Sequence, residues 1–208
     1  KKDNLIQTLN EKNSKFFETF ELNNFIKSGG SGVVYEATHK KSKKKVGCKF
    51  CINHKNKDNL NEEINYLLKL KNKGIIQLHG LMKISEEINV LILEFAEFGD
   101  LNNFQNKIIK QKYLSETFIC YITFQILETL NYIHMNRIIH SDIKQGNILI
   151  DSNLNVILTD FSVSSSYASF NDDQKIIYPF AGTGKYISPE ILGRQEIYVK
   201  DSNKIDIY

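Results

Sequence analysis

The stretch at residues 138–161, IIHSDIKQGNILIDSNLNVILTDF, constrains this chain more than any other. Two apolar runs, Ile148–Ile150 and Val156–Leu158, flank Asp151-Ser152-Asn153-Leu154-Asn155, a sequence rich in turn formers. The pattern predicts a short strand, a turn and a second short strand. An antiparallel hairpin brings the chain back to the end where it began. Asn147, just before the first strand, and Asp160, just after the second, are therefore expected side by side. Asp142 lies in the loop that feeds the hairpin. Three oxygen-bearing groups converge, two as ligands for a hard cation and one as a free carboxylate. Mg²⁺ suits such ligands and keeps substrate phosphates in the rest of its shell.

A chain of 208 residues makes one large domain or two small lobes. With 41% hydrophobic and 25% charged residues it reads as an ordinary globular sequence. The net charge of +3 is too small to point to nucleic acid or a membrane surface. Residues 40–45 are dense in lysine without interleaved aromatics, the pattern of a solvated turn. Three cysteines, Cys48, Cys51 and Cys120, form neither a metal cluster nor an even disulfide framework. The expectation is a reduced, cytoplasmic protein. No apolar run reaches the length of a membrane span, and no signal peptide is visible.

Along the chain, residues 1–21 read as a flank and 22–27 as a first strand. Lys27-Ser28-Gly29-Gly30-Ser31-Gly32 is a turn that only small residues permit. Residues 33–38 complete a hairpin whose tip could place N–H groups over phosphate oxygens. Residues 46–50 form a third strand carrying Lys49. Leu60, Ile64, Leu67 and Leu68 have helical spacing. On that helix Glu63 shares a face with Leu60, Leu67 and Leu70, whereas Glu62 lies with Tyr66 and Lys69 on the polar side. Two strands follow, at residues 75–82 and 89–94. Ile119, Ile122, Ile126, Leu130 and Ile133 mark one face of a long helix over residues 115–135, with Ser115 as its N-cap. Residues 162–180, with serines at 162, 164, 165, 166 and 169, suggest a mobile surface loop.

His140-Ser141-Asp142-Ile143-Lys144-Gln145-Gly146-Asn147 resembles the catalytic loop of the eukaryotic protein kinases, and Asp160-Phe161-Ser162 their D-F-G triplet. Val46-Gly47-Cys48-Lys49 resembles V-A-I-K, and Gly182-Thr183-Gly184-Lys185-Tyr186-Ile187-Ser188-Pro189-Glu190 resembles G-T-x-x-Y-x-A-P-E. Ile205-Asp206-Ile207-Tyr208 matches the opening of D-x-W-x-x-G. The resemblance covers residues 22–208. It implies an α+β, two-lobed fold: a small antiparallel sheet with one key helix over residues 22–95, a hinge at 96–100, and a mainly helical, C-terminally truncated lobe over 101–208.

The resemblance also implies roles. Lys49, held by Glu63, would grip the α- and β-phosphates of ATP. Asn147 and Asp160 would hold Mg²⁺, Asp142 would take or orient the proton of the acceptor hydroxyl, and Lys144 would neutralise developing charge. Thr183 joins this catalytic group. Ile26, Lys27, Ser28, Gly29, Gly30, Ser31, Gly32, Val34 and Leu149 would line the nucleotide, with Leu93 behind it. The backbone of Glu94 and Ala96 would bind the adenine edge. Lys144 and Thr183 favour the serine/threonine branch, so the implied partner is a protein with a serine or threonine acceptor.

Three positions depart from the pattern. Lys27 stands for the first glycine of the Gly-rich loop, Ser141 for the arginine of H-R-D, and Ser162 for the glycine of D-F-G. The third departure predicts restricted movement of Phe161 and Asp160, because serine disfavours φ > 0. With Ser141 in place of arginine, and no Lys or Arg from residue 161 to 174, a phosphoserine in that loop would find little cationic charge. Activity is therefore expected not to depend on phosphorylating the loop. Alternatives are a pseudokinase serving as a nucleotide-binding or scaffold module, and a small-molecule kinase, which leaves residues 182–190 unexplained.

Overall fold

The computed structural model describes residues 14–52, 57–109 and 114–207. Most of the expected N-terminal flank, residues 1–13, and the final Tyr208 lie outside them. The chain divides into two compact units, one built from residues up to Ile64 with Gln77–Phe95, the other from Asn65–Ile76 with the residues from Ala96 onward.

The first unit is a five-stranded antiparallel sheet in the order β1-β2-β3-β5-β4. Its strands are β1 (Phe20–Gly29), β2 (Gly32–His39), β3 (Lys45–Ile52), β4 (Leu78–Lys83) and β5 (Ile88–Leu93). Alternation decides which side chains face which way. Tyr35, Cys48, Phe50, Val90 and Ile92 share one buried cluster with Phe16 and Phe20. Phe16 comes from a short helix, α1 (Ser14–Thr19), and is 0% exposed. Fully burying such a side chain contributes roughly 1.5–3 kcal/mol. The segment expected as a flank therefore supplies core, and β1 starts two residues before the expected strand. Burial pushes the Cys48 thiol up to about 12, so it is an inert core group. The lysine-rich turn is exposed as expected, with Lys45 paired to Glu36 at 2.7 Å.

The face opposite the aromatic cluster carries Val34 and Lys49, which sit directly across from each other, with Leu91 across from Lys49 on the other side. The sheet is followed by α2 (Lys57–Lys69), whose start lies in the first unit.

The strand expected at residues 75–82 is two separate features. Leu78–Lys83 is β4, whereas in the second unit the N–H of Ile76 donates to Leu158 and Gly74 accepts from the N–H of Leu158. After Ala96 the chain forms a short α3 (Leu101–Asn103), capped by Asp100, and a π-helical run, Phe104–Ile109. The long helix, α4 (Glu116–Met135), starts where Ser115 caps it, accepting the Phe118 N–H at 3.2 Å. Of its expected inner face, Ile122, Leu130 and Ile133 are buried, but Ile119 is 46% exposed.

The expected hairpin forms with the expected bounds: β7 (Ile148–Ile150) pairs antiparallel with β8 (Val156–Leu158). Asp151 organises its turn by accepting the N–H groups of Asn153 and Asn155, each at 2.8 Å. The serine-rich segment, expected as a mobile surface loop, is mostly exposed and carries two short strand pairings. Between them, β9 (Ser165–Ser166) pairs with β6 (Ile138–Ile139), and β10 (Lys175–Ile176) with β11 (Ile197–Tyr198). Tyr167 and Tyr178 join a buried cluster with Ile139, Ile187, Ile191 and Val199. Serine counts and loop length conceal these two inward tyrosines. A short helix, α5 (Pro189–Leu192), precedes β11, and a 3-10 run, Val199–Asp206, follows it.

Candidate active site

Within the first unit, Lys49 and Glu63 meet. The ammonium contacts both carboxylate oxygens, at 2.7 and 2.9 Å, and both residues are buried, at 4% and 3% exposure. Strand alternation turns Lys49 away from the aromatic core, and helical phase turns Glu63 inward. Glu62, at the adjacent position, is exposed. A buried charge requires a partner, and losing one of such a pair leaves the other uncompensated.

The tip between β1 and β2 closes with Gly29 opposite Gly32. Gly32 has φ +141°, and a Cβ there would lie 2.4 Å from the Phe50 carbonyl oxygen, so only glycine fits. Around Gly29 and Gly30 there is open space. Ser28 is exposed, whereas Lys27, Ser31 and Val34 are half-buried. Ile26 is 37% exposed and falls at a register shift in β1. Lys27 is accommodated opposite Val34. The N–H of Glu94 donates to Gln77, and the carbonyl of Ala96 accepts from Gly99. Among the described residues, the Glu94 carbonyl and the Ala96 N–H stand outside those two bonds. Leu149 is half-buried in the second unit, bridged to Asp100.

The second unit assembles Asp142, Lys144, Asn147 and Thr183. Lys144 Nζ donates to Asp142 Oδ2 at 2.6 Å and also to Thr183 Oγ1. The Thr183 hydroxyl donates to Asp142 Oδ1 at 2.8 Å. Asn147 Nδ2 donates to the Asp142 carbonyl and to Oδ2, both at 2.9 Å. Thr183 arrives from 41 residues downstream because Gly182 turns at φ +104° against the Ser141 carbonyl, where a Cβ would sit at 2.5 Å. The Asn147 carbonyl accepts the Thr159 N–H at 3.0 Å, which places Asn147 beside Asp160 at the hairpin mouth.

His140, fully buried, ties the loop together. Its Nδ1 accepts the Asp142 N–H, so Nε2 carries the proton and donates to the Thr159 carbonyl at 3.1 Å. Its ring lies 4.8 Å from that of Phe161. Ser141 and Asp160 hold left-handed backbone, at φ +68° and +69°. Such conformations persist where surrounding structure dictates them. Ser162 is not among the described residues with positive φ. Serine therefore meets no φ > 0 demand at position 162 in this conformation.

Asp206 was legible only as a motif position, with no role attached. Its carboxylate accepts the N–H of His140 at 2.9 Å and that of Ser141 at 2.8 Å, and the Nε2–H of His134 at 2.8 Å. It fixes the strained turn beside Asp142. An aspartate between two isoleucines was the available signal. Arg137 was also overlooked. Its guanidinium lies over the Tyr167 ring and pairs with Asp172, so the serine-rich segment does have a cation beside it.

For a divalent cation, the donor chemistry is suitable. The amide nitrogen of Asn147 is committed to Asp142, which leaves its oxygen as the coordinating end, and Asp160 adds a carboxylate. No group of three or more His, Cys, Asp or Glu forms a cage among the described residues. Mg²⁺ needs none, because water and substrate phosphates complete its shell.

A buried lysine–glutamate pair on a five-stranded sheet, and a carboxylate held by lysine, threonine and asparagine at a hairpin mouth, describe a protein kinase domain. The sequence matches the Protein kinase domain family over residues 20–208, and the chain belongs to that family. It is 31% identical over 189 residues to Serine/threonine-protein kinase 4 homolog B of Dictyostelium discoideum, covering 91% of this chain and 16% of that protein. To NUAK family SNF1-like kinase 1 of Mus musculus it is 32% identical, covering 83% and 26%. To Serine/threonine-protein kinase pakH of Dictyostelium discoideum it is 31% identical, covering 91% and 35%. The chain thus spans about a sixth to a third of the length of these relatives.

Proposed function

We propose that the chain is the nucleotide-binding and catalytic portion of a protein serine/threonine kinase, which transfers the γ-phosphoryl group of ATP to a protein hydroxyl. The observation that carries the reading is Asp142, whose two carboxylate oxygens are held by Lys144, Thr183 and Asn147. A carboxylate oriented in this way accepts the proton of an incoming serine or threonine hydroxyl. Lys144, already on Asp142, compensates negative charge that develops on the transferred group. Lys49 is kept extended by Glu63 and binds the α- and β-phosphates. Asn147 and Asp160 would hold Mg²⁺, which would supply positive charge to the phosphate oxygens. The Gly29–Gly32 tip covers the phosphates with backbone N–H groups, and the Glu94 carbonyl and Ala96 N–H bind the adenine edge. Lys144 and Thr183 support the serine/threonine branch, as do the names of the relatives. A cytoplasmic setting is supported by Cys48, Cys51 and Cys120, which are free thiols.

The full-length protein incubated with Mg²⁺ and γ-labelled ATP tests this. Label is expected on serine and threonine of a generic acceptor protein, and a chelator is expected to abolish it. Bound nucleotide without any transfer would overturn the reading in favour of a pseudokinase.

A further inference from the structure

The serine-rich segment is held at several independent points within the second unit. Tyr167 is 6% exposed, and its hydroxyl donates to the His134 carbonyl at 3.1 Å. Tyr178 is 7% exposed, and its hydroxyl donates to Ser202 Oγ at 2.6 Å, with Ser202 at 0%. Burial pushes the Tyr178 hydroxyl up to about 12. Backbone bonds fasten both ends: the Tyr167 N–H to Arg137, the Val199 N–H to Gln174, and the Lys200 N–H to Asp172. Ser164 is buried and donates to the His140 carbonyl at 3.1 Å.

Lys200 pairs with Asp173 of this segment at 3.3 Å, and a second cation facing it is Arg137. It stands at φ +57° in the turn after α4. One arm donates to the Phe170 carbonyl at 2.8 Å and the other pairs with Asp172 at 2.9 Å, while the plane covers Tyr167 at 5.0 Å. The guanidinium therefore already has an anion, supplied by the segment itself. With side chains 35% and 61% exposed, the ion pair is weak alone. The two buried tyrosines and the strand pairs add anchors that do not depend on this ion pair.

We propose that residues 164–178 form a self-latched segment: Tyr167, Tyr178 and the Arg137–Asp172 pair hold it in place without phosphorylation. Its functional consequence rests on the kinase reading, because the segment leads directly into Gly182 and Thr183 at Asp142. The latch itself does not. Phosphorylation of the exposed Ser166 or Ser169 is then unnecessary for bringing Thr183 to Asp142.

Hydrogen exchange on the phosphatase-treated full-length protein tests the latch without needing catalysis. The Tyr167, Val199 and Lys200 amides are expected to exchange at least about tenfold slower than unstructured chain, equivalent to about 1.4 kcal/mol of local opening. Asp172→Asn is expected to speed exchange at Lys200, Asp172→Glu to restore it, and α4 to be unchanged in both. Exchange at the unstructured rate in phosphate-free protein, with protection appearing only after phosphorylation, would overturn the proposal. Equal protection in Asp172→Asn and the parent would overturn the part assigned to the Arg137–Asp172 pair. Transfer that fails while protection persists counts against the kinase reading and leaves the latch standing.

Discussion

At the scale of single residues, the site depends on buried charges that satisfy one another. Glu63→Gln removes the counter-charge of Lys49 at 4% exposure. Breaking a buried pair costs roughly 3–5 kcal/mol, so thermal unfolding should show a large loss of stability as well as weakened nucleotide binding. A parent-like melting temperature would contradict the buried pair. Asp206 acts on backbone. Asp206→Ala strands two N–H groups and the His134 ring, and each unsatisfied buried group costs roughly 1–3 kcal/mol. Transfer should fall along with stability, because the turn beside Asp142 loses its anchor. Much of the residue-level site could be read in advance. Lys49, Glu63, Asp142, Asn147 and Thr183 follow from strand alternation, helical phase and motif offsets. Asp206 and Arg137 escaped because they act through backbone groups and side chains 66 and 35 residues away, which no local pattern encodes.

At the scale of elements, short-range rules served best where turn chemistry and alternation agree. The β7–β8 hairpin and the Ser115 cap fall where the sequence places them. At residues 162–180 polarity indicated a surface segment, and most of it is exposed, but it gave no sign of the two tyrosines, Tyr167 and Tyr178, that pack inward. Tyr178 gives that segment a pH signature. Its folded value of about 12 exceeds the ordinary 10.0, so the native state favours the protonated hydroxyl. The resulting stabilisation is fully present below pH 10 and is lost as pH rises through about 12. Tyr178→Phe has no such proton. Relative to this variant, the parent should lose stability between those pH values, as followed by denaturant unfolding. Parallel curves would contradict the buried hydroxyl. At the other hairpin, Gly32→Ala sets a Cβ 2.4 Å from the Phe50 carbonyl. A destabilisation of about 1–3 kcal/mol is expected from backbone strain alone, read as a lower melting temperature.

At the scale of the whole molecule, the residues proposed for catalysis fall in two compact units. Lys49 and Glu63 lie in one, and Asp142, Asn147, Asp160 and Thr183 in the other. A ligand that binds the folded protein stabilises it by mass action, by about 2.7 kcal/mol at a hundredfold excess over Kd. Mg²⁺ with ATP should therefore raise the melting temperature of the full-length protein. Asp160→Asn should lose the metal-dependent share, with its backbone retained because asparagine tolerates φ +69°. A shift that does not depend on metal would contradict the roles given to Asp160 and Asn147. The most direct measurement is γ-phosphoryl transfer by the full-length protein and by its Asp142→Asn variant, each with nucleotide affinity measured alongside. Removing a positioned proton acceptor costs roughly 10²- to 10⁴-fold in rate. A fall of that size with nucleotide affinity preserved is the predicted result, and equal transfer by the two proteins would contradict the account.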